Sequence, residues 1–416
     1  MKKVIIIFFT FHVSLIQADW VNVTNGINNL NINALTATGS YIFAGNDQFV
    51  YRSSNNGDNW QQIYNLPGRA LASFGSYIYM GYNNGVGRST NYGTNWSYAG
   101  LNQWTLCLLS NGNNIYAGCF WPVPGGSTNR GVWLSTNYGA NWTQTALNNV
   151  DIYSLTVCGS YLFAGGYNTG VAGGVFVSSN NGQNWTNPLL IGGDALVSSS
   201  NYIYTGVDGS PYGVYKSTNY GLNWSQTSLN NVGVHALAIY GNFVFAGASN
   251  GVYVSSDNGT TWIQRNEGMG NKYTISICTY NGFIFIGTSG QGVWRRQLSE
   301  LVGVKPISNE VPQKFILYQN YPNPFNPVTK IKFDIPPNRP PFDKGGWTKS
   351  GGFVKLTIYD VLGREVATLV NQQLTPGTYE VEWDGSDYPS GVYFYRLTVT
   401  DASTPLSITK KMVLVK

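Results

Sequence analysis

Charge is scarce in this chain. Charged side chains make up 10% of its 416 residues, against roughly 25% in an average soluble protein, which excludes a charge-rich disordered chain, a coiled coil and a helical bundle. The scarcity is uneven: residues 1–300 hold 11 basic and 9 acidic side chains, residues 301–416 hold 13 and 10. Two materials meet near residue 300. Histidine is scarcer still, with only His12 and His235. The four cysteines, at positions 107, 119, 158 and 278, have no CxxC spacing and read as small buried hydrophobes rather than disulfide partners. Long apolar runs are missing too. Met1 to Ala18 read as a secretory signal, with Lys2 and Lys3 ahead of a mostly apolar Val4–Leu15 and a small-residue cleavage site at Gln17-Ala18. That run is too short for a transmembrane helix, and no later segment is apolar enough to span a bilayer. Cleavage would leave His235 as the sole histidine, so multi-histidine metal sites are excluded and no metal or other cofactor is expected. It would also lower the formal charge from +5 to +3 (5 − 2) with no basic cluster anywhere, so nucleic acid is not an expected partner.

What is abundant is turn-forming and aromatic: 50 Gly, 46 Asn and 15% Phe, Trp and Tyr. These residues repeat. The segment Ser53-Ser-Asn-Asn-Gly-Asp-Asn-Trp60 recurs with versions ending at Trp96, Trp142, Trp185, Trp224 and Trp262. About fifteen residues before each stands a short alternating strand ending in Gly, such as Tyr41-Ile-Phe-Ala-Gly45, and a seventh such strand is Phe283-Ile-Phe-Ile-Gly287. Four strands per repeat of 36 to 46 residues is the arithmetic of a propeller blade. Seven strands against six turn motifs leave one motif short. Trp20-Val-Asn-Val resembles the segment after each motif tryptophan, so it is expected to be the outer strand of the last blade, closing the ring and removing an open edge. The innermost strands share a large apolar position (Leu35, Leu71, Leu108, Leu155, Leu196, Leu237, Ile277) preceded by a small one (Ala34, Ala70, Cys107, Ser154, Ala195, Ala236, Ser276). The reading is an all-β chain: a seven-bladed β-propeller over residues 19–298, a linker over 299–312 and a small Ig-like β-sandwich over 313–416.

The repeated turn resembles the Asp-box of sialidases, sortilin-type receptors, photosystem assembly propellers and some two-propeller glycosidases. Ser255-Ser-Asp-Asn-Gly-Thr-Thr-Trp262 matches its full pattern, whereas the other five carry Asn at 55, 91, 137, 180 and 219 in place of Asp. Either side chain can close such a turn through bonds to the backbone. The resemblance implies a turn remote from any ligand, hence a mark of fold rather than activity. At the other end, Asn320-Tyr-Pro-Asn-Pro-Phe-Asn-Pro, Val354-Lys-Leu-Thr-Ile-Tyr-Asp-Val-Leu-Gly-Arg, Gly377-Thr-Tyr-Glu-Val-Glu-Trp-Asp and the final Lys410–Lys416 read as about seven strands. In that order they closely resemble the type A C-terminal sorting domain of the bacterial type IX secretion system. The resemblance implies handling by that machinery and a secreted or outer-surface location in a Gram-negative bacterium. Residues 337–352 look like an insertion in this domain.

Chemistry is thinly provided. Arg52, Arg88, Lys216 and Arg295 each end a third strand and are spread around the perimeter, so they cannot converge as sialidase arginines do. A glycosidase would rest on Asp151, Asp194 and Asp208, and a Ser–His–Asp hydrolase on His235 alone. Two residues before the recurring leucine stand Asn33, Arg69, Leu106, Tyr153, Asp194, His235 and Ile275, one per blade at the channel mouth. Asp194 and His235, on neighbouring blades, are expected to pair. Three consecutive blades also carry long connections between their second and third strands, holding Trp121 and Arg130, then Tyr167 and Asn168, then Asp208 and Tyr212. Extended loops on one sector commonly carry function. The expected role is therefore a non-catalytic binding module for glycans or envelope proteins. A glycoside hydrolase and a purely structural surface protein are the alternatives.

Overall fold

The computed structural model describes residues 19–120, 130–168, 171–199, 202–241, 243–301, 305–308, 312–336, 353–374, 376–385, 388–400 and 406–416. Residues 19–298 carry seven four-stranded antiparallel sheets. Their leading strands are Ile32–Thr38, Ala70–Phe74, Trp104–Asn111, Asp151–Cys158, Ala195–Ser198, Val234–Tyr240 and Thr274–Tyr280. Each leading strand packs on the next in that order, and the seventh packs on the first. The outer strand of the seventh sheet is Val21–Asn22, which pairs with Val293–Gln297 in the register Val21↔Arg295 and Asn22↔Trp294. Trp20 is buried beside it, and its indole Nε1 donates to Arg265 O at 2.7 Å. The motif tryptophans Trp60 and Trp142 reach the preceding sheet in the same way, donating to Val23 O and Ala99 O. Trp20 thus fills the seventh tryptophan slot.

The second strand of every sheet is the buried one, because it is covered by neighbouring sheets on both faces. It contributes one aromatic apiece: Phe43, Tyr79, Tyr116, Phe163, Tyr204, Phe245 and Phe285, all 0–1% exposed. Several of these rings press on the turn of the following sheet where its glycine stands. A Cβ at Gly139 would lie 3.3 Å from the Tyr79 ring, and one at Gly57 3.2 Å from Phe285. Both glycines also have positive φ, so two constraints fall on one position.

The turns themselves are held by one set of bonds. The motif serine Oγ accepts from the glycine N–H at 2.8–2.9 Å and donates to the Asn or Asp Oδ1 at 2.8–3.0 Å. That Oδ1 also accepts the N–H of the residue before the tryptophan at 2.8–3.0 Å. Only acceptor oxygen is used there, which is why an amide serves as well as a carboxylate. Asp257 uses its second oxygen to accept from Thr261 Oγ1 at 2.7 Å. An amide nitrogen cannot accept that bond, and the five turns with Asn in place of Asp also carry Asn, at 59, 95, 141, 184 and 223, in place of the threonine. Residues Asn56, Tyr92, Tyr138, Asn181, Tyr220 and Asn258 sit at φ 54–56° in these turns. The perimeter cations use the carbonyls that this conformation turns outward. Arg52 donates to Tyr92 O at 2.8 Å, Arg88 to Tyr138 O at 2.9 Å, Lys216 to Asn258 O at 3.0 Å, and Arg295 to Asn56 O. Each cation joins its own sheet to another and is unavailable for catalysis.

The four cysteines are free thiols. Burial pushes Cys119 and Cys278 up to about 12, so neither is a nucleophile at neutral pH.

The C-terminal residues form two further four-stranded sheets. Eight strands are present rather than about seven, because the segment 299–312 is more than a tether. It holds a short helix, Leu298–Leu301, and the strand Lys305–Ser308, which pairs with Gly377–Asp384. Ile331, Phe333, Leu356, Ile358, Tyr395 and Leu397 are buried between the sheets while Lys330 and Glu380 pair outside at 3.2 Å. The Asn-Pro-rich segment is pinned to both: Asn320 N–H donates to Tyr395 Oη at 2.9 Å in one sheet, and Tyr321 N–H to Lys330 O at 2.9 Å in the other. Residues 1–18, expected to be a signal, and 337–352, expected to be an insertion, lie outside the described residues.

Candidate functional site

The seven positions singled out along the inner strands share a backbone cause. Asn33, Leu106, Tyr153, His235 and Ile275 each sit where the register of the leading strand slips by one residue against its partner. Arg69 and Asp194 stand just before their strands, and their N–H groups donate to Gly81 O and Gly206 O at 3.0 Å. A bulge re-aims the extra side chain at those five, and Arg69 and Asp194 stand at the same end of their own leading strands.

At that end the side chains form a belt. Arg69 lies over the Trp104 ring at 5.9 Å. Trp104, Phe120 and Tyr153 follow at centroid spacings of 6.3 Å, and Tyr167 meets Tyr153 edge-on at 5.6 Å. Tyr167 Oη then donates to Asp194 Oδ2 at 2.8 Å, and the same oxygen accepts the Asp208 N–H at 2.8 Å. Asp208 Oδ1 lies 3.5 Å from His235 Nε2, and His235 stacks on Tyr273 at 4.3 Å. On the other flank, Asp47 accepts from Asn31 and Asn33 at 2.7 and 2.9 Å and faces Arg69 at 4.0 Å. Tyr153, Tyr273 and the Asp208 side chain are 37%, 40% and 43% exposed, so the belt faces solvent.

The expected direct pairing of Asp194 with His235 is replaced by Asp208. Gly233 explains this: a Cβ there would collide with Asp208 Oδ1, and its absence lets the carboxylate reach the imidazole. Gly192 makes the matching space for the Tyr167 hydroxyl. Tyr167 is consequently half-buried and bonded, not a free loop aromatic. Its connection is an extended hairpin, Tyr161–Asn168 with Val171–Ser178, because Gly173 leaves room for the Tyr167 ring. Arg130 ties the end of its connection to the buried Asp151 at 3.5 Å. Tyr212 is exposed and away from the bonds of the belt, offering only its carbonyl to Gln226. Trp121 lies outside the described residues, as does the side chain of Asn168.

Burial pushes the Asp194 carboxyl above the usual carboxylate range, opposed by its bonds from the Asp208 N–H and Tyr167. Burial likewise holds His235 below its ordinary value, against the pull of Asp208 and Asp194. His235 Nε2 is also 3.0 Å from Ser249 Oγ, and Nδ1 is 3.3 Å from Tyr273 Oη. A serine–histidine–aspartate relay needs the acid on the nitrogen opposite the serine. Here Asp208 approaches the same nitrogen, so the three do not form a triad. Glu267 is bound to Arg296 of the closing sheet at 2.6 Å. Among the described residues, no group of three metal-ligating side chains comes together.

Sequence found Tyr153, Tyr167, Asp194, Asp208 and His235, which the fold brings together. It missed Trp104, Phe120, Asp47, Ser249 and Tyr273. Trp104 and Tyr273 each stand two residues before a bulge position, so the period of a strand would have exposed them.

In sequence, residues 319–415 match the family described as the secretion system C-terminal sorting domain. These residues are that sorting domain. It sends the protein out of the cell, to be attached at the surface or secreted, as in Bacteroidetes. The sorting domain implies handling by the type IX secretion machinery. No curated relative matches the chain in sequence. In structure the chain is similar to PorZ of Porphyromonas gingivalis, an essential bacterial surface component of the type-IX secretion system. Identity is 14% and the TM-score 0.51, over 94% of this chain and 60% of that one. It is similar also to the extracellular domain of a B. thetaiotaomicron protein assigned to a hybrid two component system (16%, TM-score 0.56, 78% and 47%). An ancestral GH74 enzyme gives 16%, TM-score 0.52, and coverage of 92% and 60%. The chain spans 47–60% of the length of these three. At such identities the likeness concerns fold alone: all-β and propeller-like.

Proposed function

We propose that residues 19–298 are a seven-bladed propeller of the Asp-box type, carried out of the cell ahead of an Ig-like sorting domain after removal of residues 1–18. Its role is to bind glycan chains at one mouth without cleaving them. The observation that carries this reading is the belt from Trp104 through Tyr153 and Tyr167 to Tyr273. Exposed aromatic faces beside fixed carboxylates and amides are the equipment for stacking on sugar rings and bonding their hydroxyls. Tyr153 is set by a bulge, Tyr167 by its bond to Asp194 and Tyr273 by stacking on His235, which orders them before a ligand arrives.

The test is binding of the mature chain to a panel of soluble polysaccharides, with Tyr153→Ala/Tyr273→Ala as the control. Binding to at least one polysaccharide, lost in the double variant, is expected. Capture of envelope proteins with no polysaccharide bound would favour a protein partner, and undiminished binding by the variant would place the site elsewhere. A second reading, hydrolysis, draws on the raised carboxyl of Asp194 beside Asp208, a pattern that acid–base glycosidases use. New reducing ends from any bound polysaccharide, abolished by Asp194→Asn, would establish it.

A further inference from the structure

Carboxylates are rare in this ring, with nine acidic residues among the first 300. Two near the mouth have a fixed cation or amide donors: Asp151 has Arg130, and Asp47 has Arg69, Asn31 and Asn33. Asp194 and Asp208 differ. Both internal bonds to Asp194 fall on Oδ2, and among the described residues the only cationic group in reach of Asp208 is His235 at 3.5 Å. Burial disfavours the charged form of that imidazole, so it supplies less than a full countercharge. Three phenol rings surround the pair. Tyr167 bonds Asp194, Tyr273 stacks on His235, and Tyr153 meets Tyr167 edge-on. Two glycines, Gly192 and Gly233, are what allow the Tyr167 hydroxyl and the Asp208 carboxylate into these positions. The negative charge is therefore packed into place rather than left over on a flexible surface.

We infer that this sector of the mouth binds a protonated amine, and specifically the ammonium group of an amino sugar within a glycan chain. An ammonium has three donors and no acceptor. Asp194 Oδ1 and the Asp208 carboxylate supply the acceptors, and the faces of Tyr153 and Tyr273 supply the electron-rich surface that attracts a cation. The charge-assisted bonds give selectivity against a sugar with a hydroxyl at the same carbon, since a hydroxyl brings no charge to the two carboxylates. The inference rests on the glycan reading above and adds the charge of the ligand.

The mature chain is titrated calorimetrically, at mildly acidic pH and low salt, with an oligomer of glucosamine and with the glucose oligomer of equal length and linkage. The two differ only by ammonium against hydroxyl. Preference for the glucosamine oligomer by about tenfold or more is expected. Asp194→Asn and Asp208→Asn should each bring the ratio of the two affinities close to one, with thermal melting checking that both variants fold. Equal affinity for the two oligomers overturns the ammonium assignment and leaves the glycan reading standing. A preference unchanged in both variants overturns the assignment of the two carboxylates. Binding of polylysine with neither oligomer bound overturns the glycan reading and transfers the ammonium to a protein partner. No binding of any of the three overturns both.

Discussion

The indole N–H of Trp20 and the carbonyl of Arg265 are 2.7 Å apart, although 245 residues separate them in the chain. This bond and the pairing of Val21–Asn22 with Val293–Gln297 are where the beginning of the ring meets its end. Removing residues 20–28 should expose the edge of the seventh sheet and destabilise the entire ring. Trp20→Ala alone should cost about 3–5 kcal/mol, as for other buried tryptophans. Urea unfolding of the mature chain measures both; an unchanged midpoint would show the closure to be ornamental.

Tyr204 makes a separate case. Its ring fills the aromatic slot that Phe43, Phe163, Phe245 and Phe285 fill in other sheets, but its hydroxyl is buried without a hydrogen-bond partner. Tyr204→Phe should raise stability by about 1 kcal/mol, the desolvation cost of an unmet hydroxyl. A lower melting temperature for the variant would contradict this account.

The turn chemistry predicts an asymmetry between two replacements at one position. Asn91 accepts from Ser89 Oγ and the Asn95 N–H through a single oxygen. Asn91→Asp keeps that oxygen and should be tolerated within about 0.5 kcal/mol. Asn91→Ala removes it and should cost about 1–2 kcal/mol. Equal losses for the two would mean that the turn does not depend on the acceptor.

Acidification should act on His235 and Asp194 in opposite senses. The folded ring holds His235 below 6.5, so unfolded chain takes up the proton first. Stability contributed by the neutral imidazole is present above pH 6.5 and is lost as pH falls from there through the folded value. Asp194 is held above 3.8, so its neutral form stabilises at low pH and that contribution disappears as pH rises through the folded value. Compared with His235→Gln, the unsubstituted chain should lose melting temperature between about pH 7.5 and 5.5. A constant difference across that range would mean that His235 titrates as it does in water.

Export gives the most direct prediction. A chain ending before residue 313 lacks the sorting domain and should be absent from the cell surface and the medium while still detectable within the envelope. Fractionation with an antibody to the ring decides the matter, and undiminished export would remove the domain's assigned role.

The repeats made the ring legible because each sheet needs the same parts: an aromatic on the buried strand, a glycine under the neighbouring ring and an acceptor to hold the turn. Trp20 could be placed for the same reason, as the missing member of a series. The site was legible only in part. Asp194 and His235 follow from counting along the inner strand, yet their relation depends on Gly233, whose missing Cβ admits Asp208 from a different connection. Nothing in the spacing of the carboxylates announces that. Tyr167 was visible as a loop aromatic, but its burial depends on Gly173 and Gly192, two positions outside the repeating pattern.

The closing sheet is also the one from which the chain leaves the ring, since Val293–Gln297 runs directly into Leu298–Leu301. When the protein is held at the cell surface through its C-terminal end, drag on a captured ligand is transmitted through that sheet. The two-residue strand Val21–Asn22 lies alongside, joined by few backbone bonds. Unlike the outer strands of the other six sheets, it does not continue from its partner strand through a turn, so tension across this seam is borne by backbone bonds and the Trp20 clasp rather than by the covalent chain.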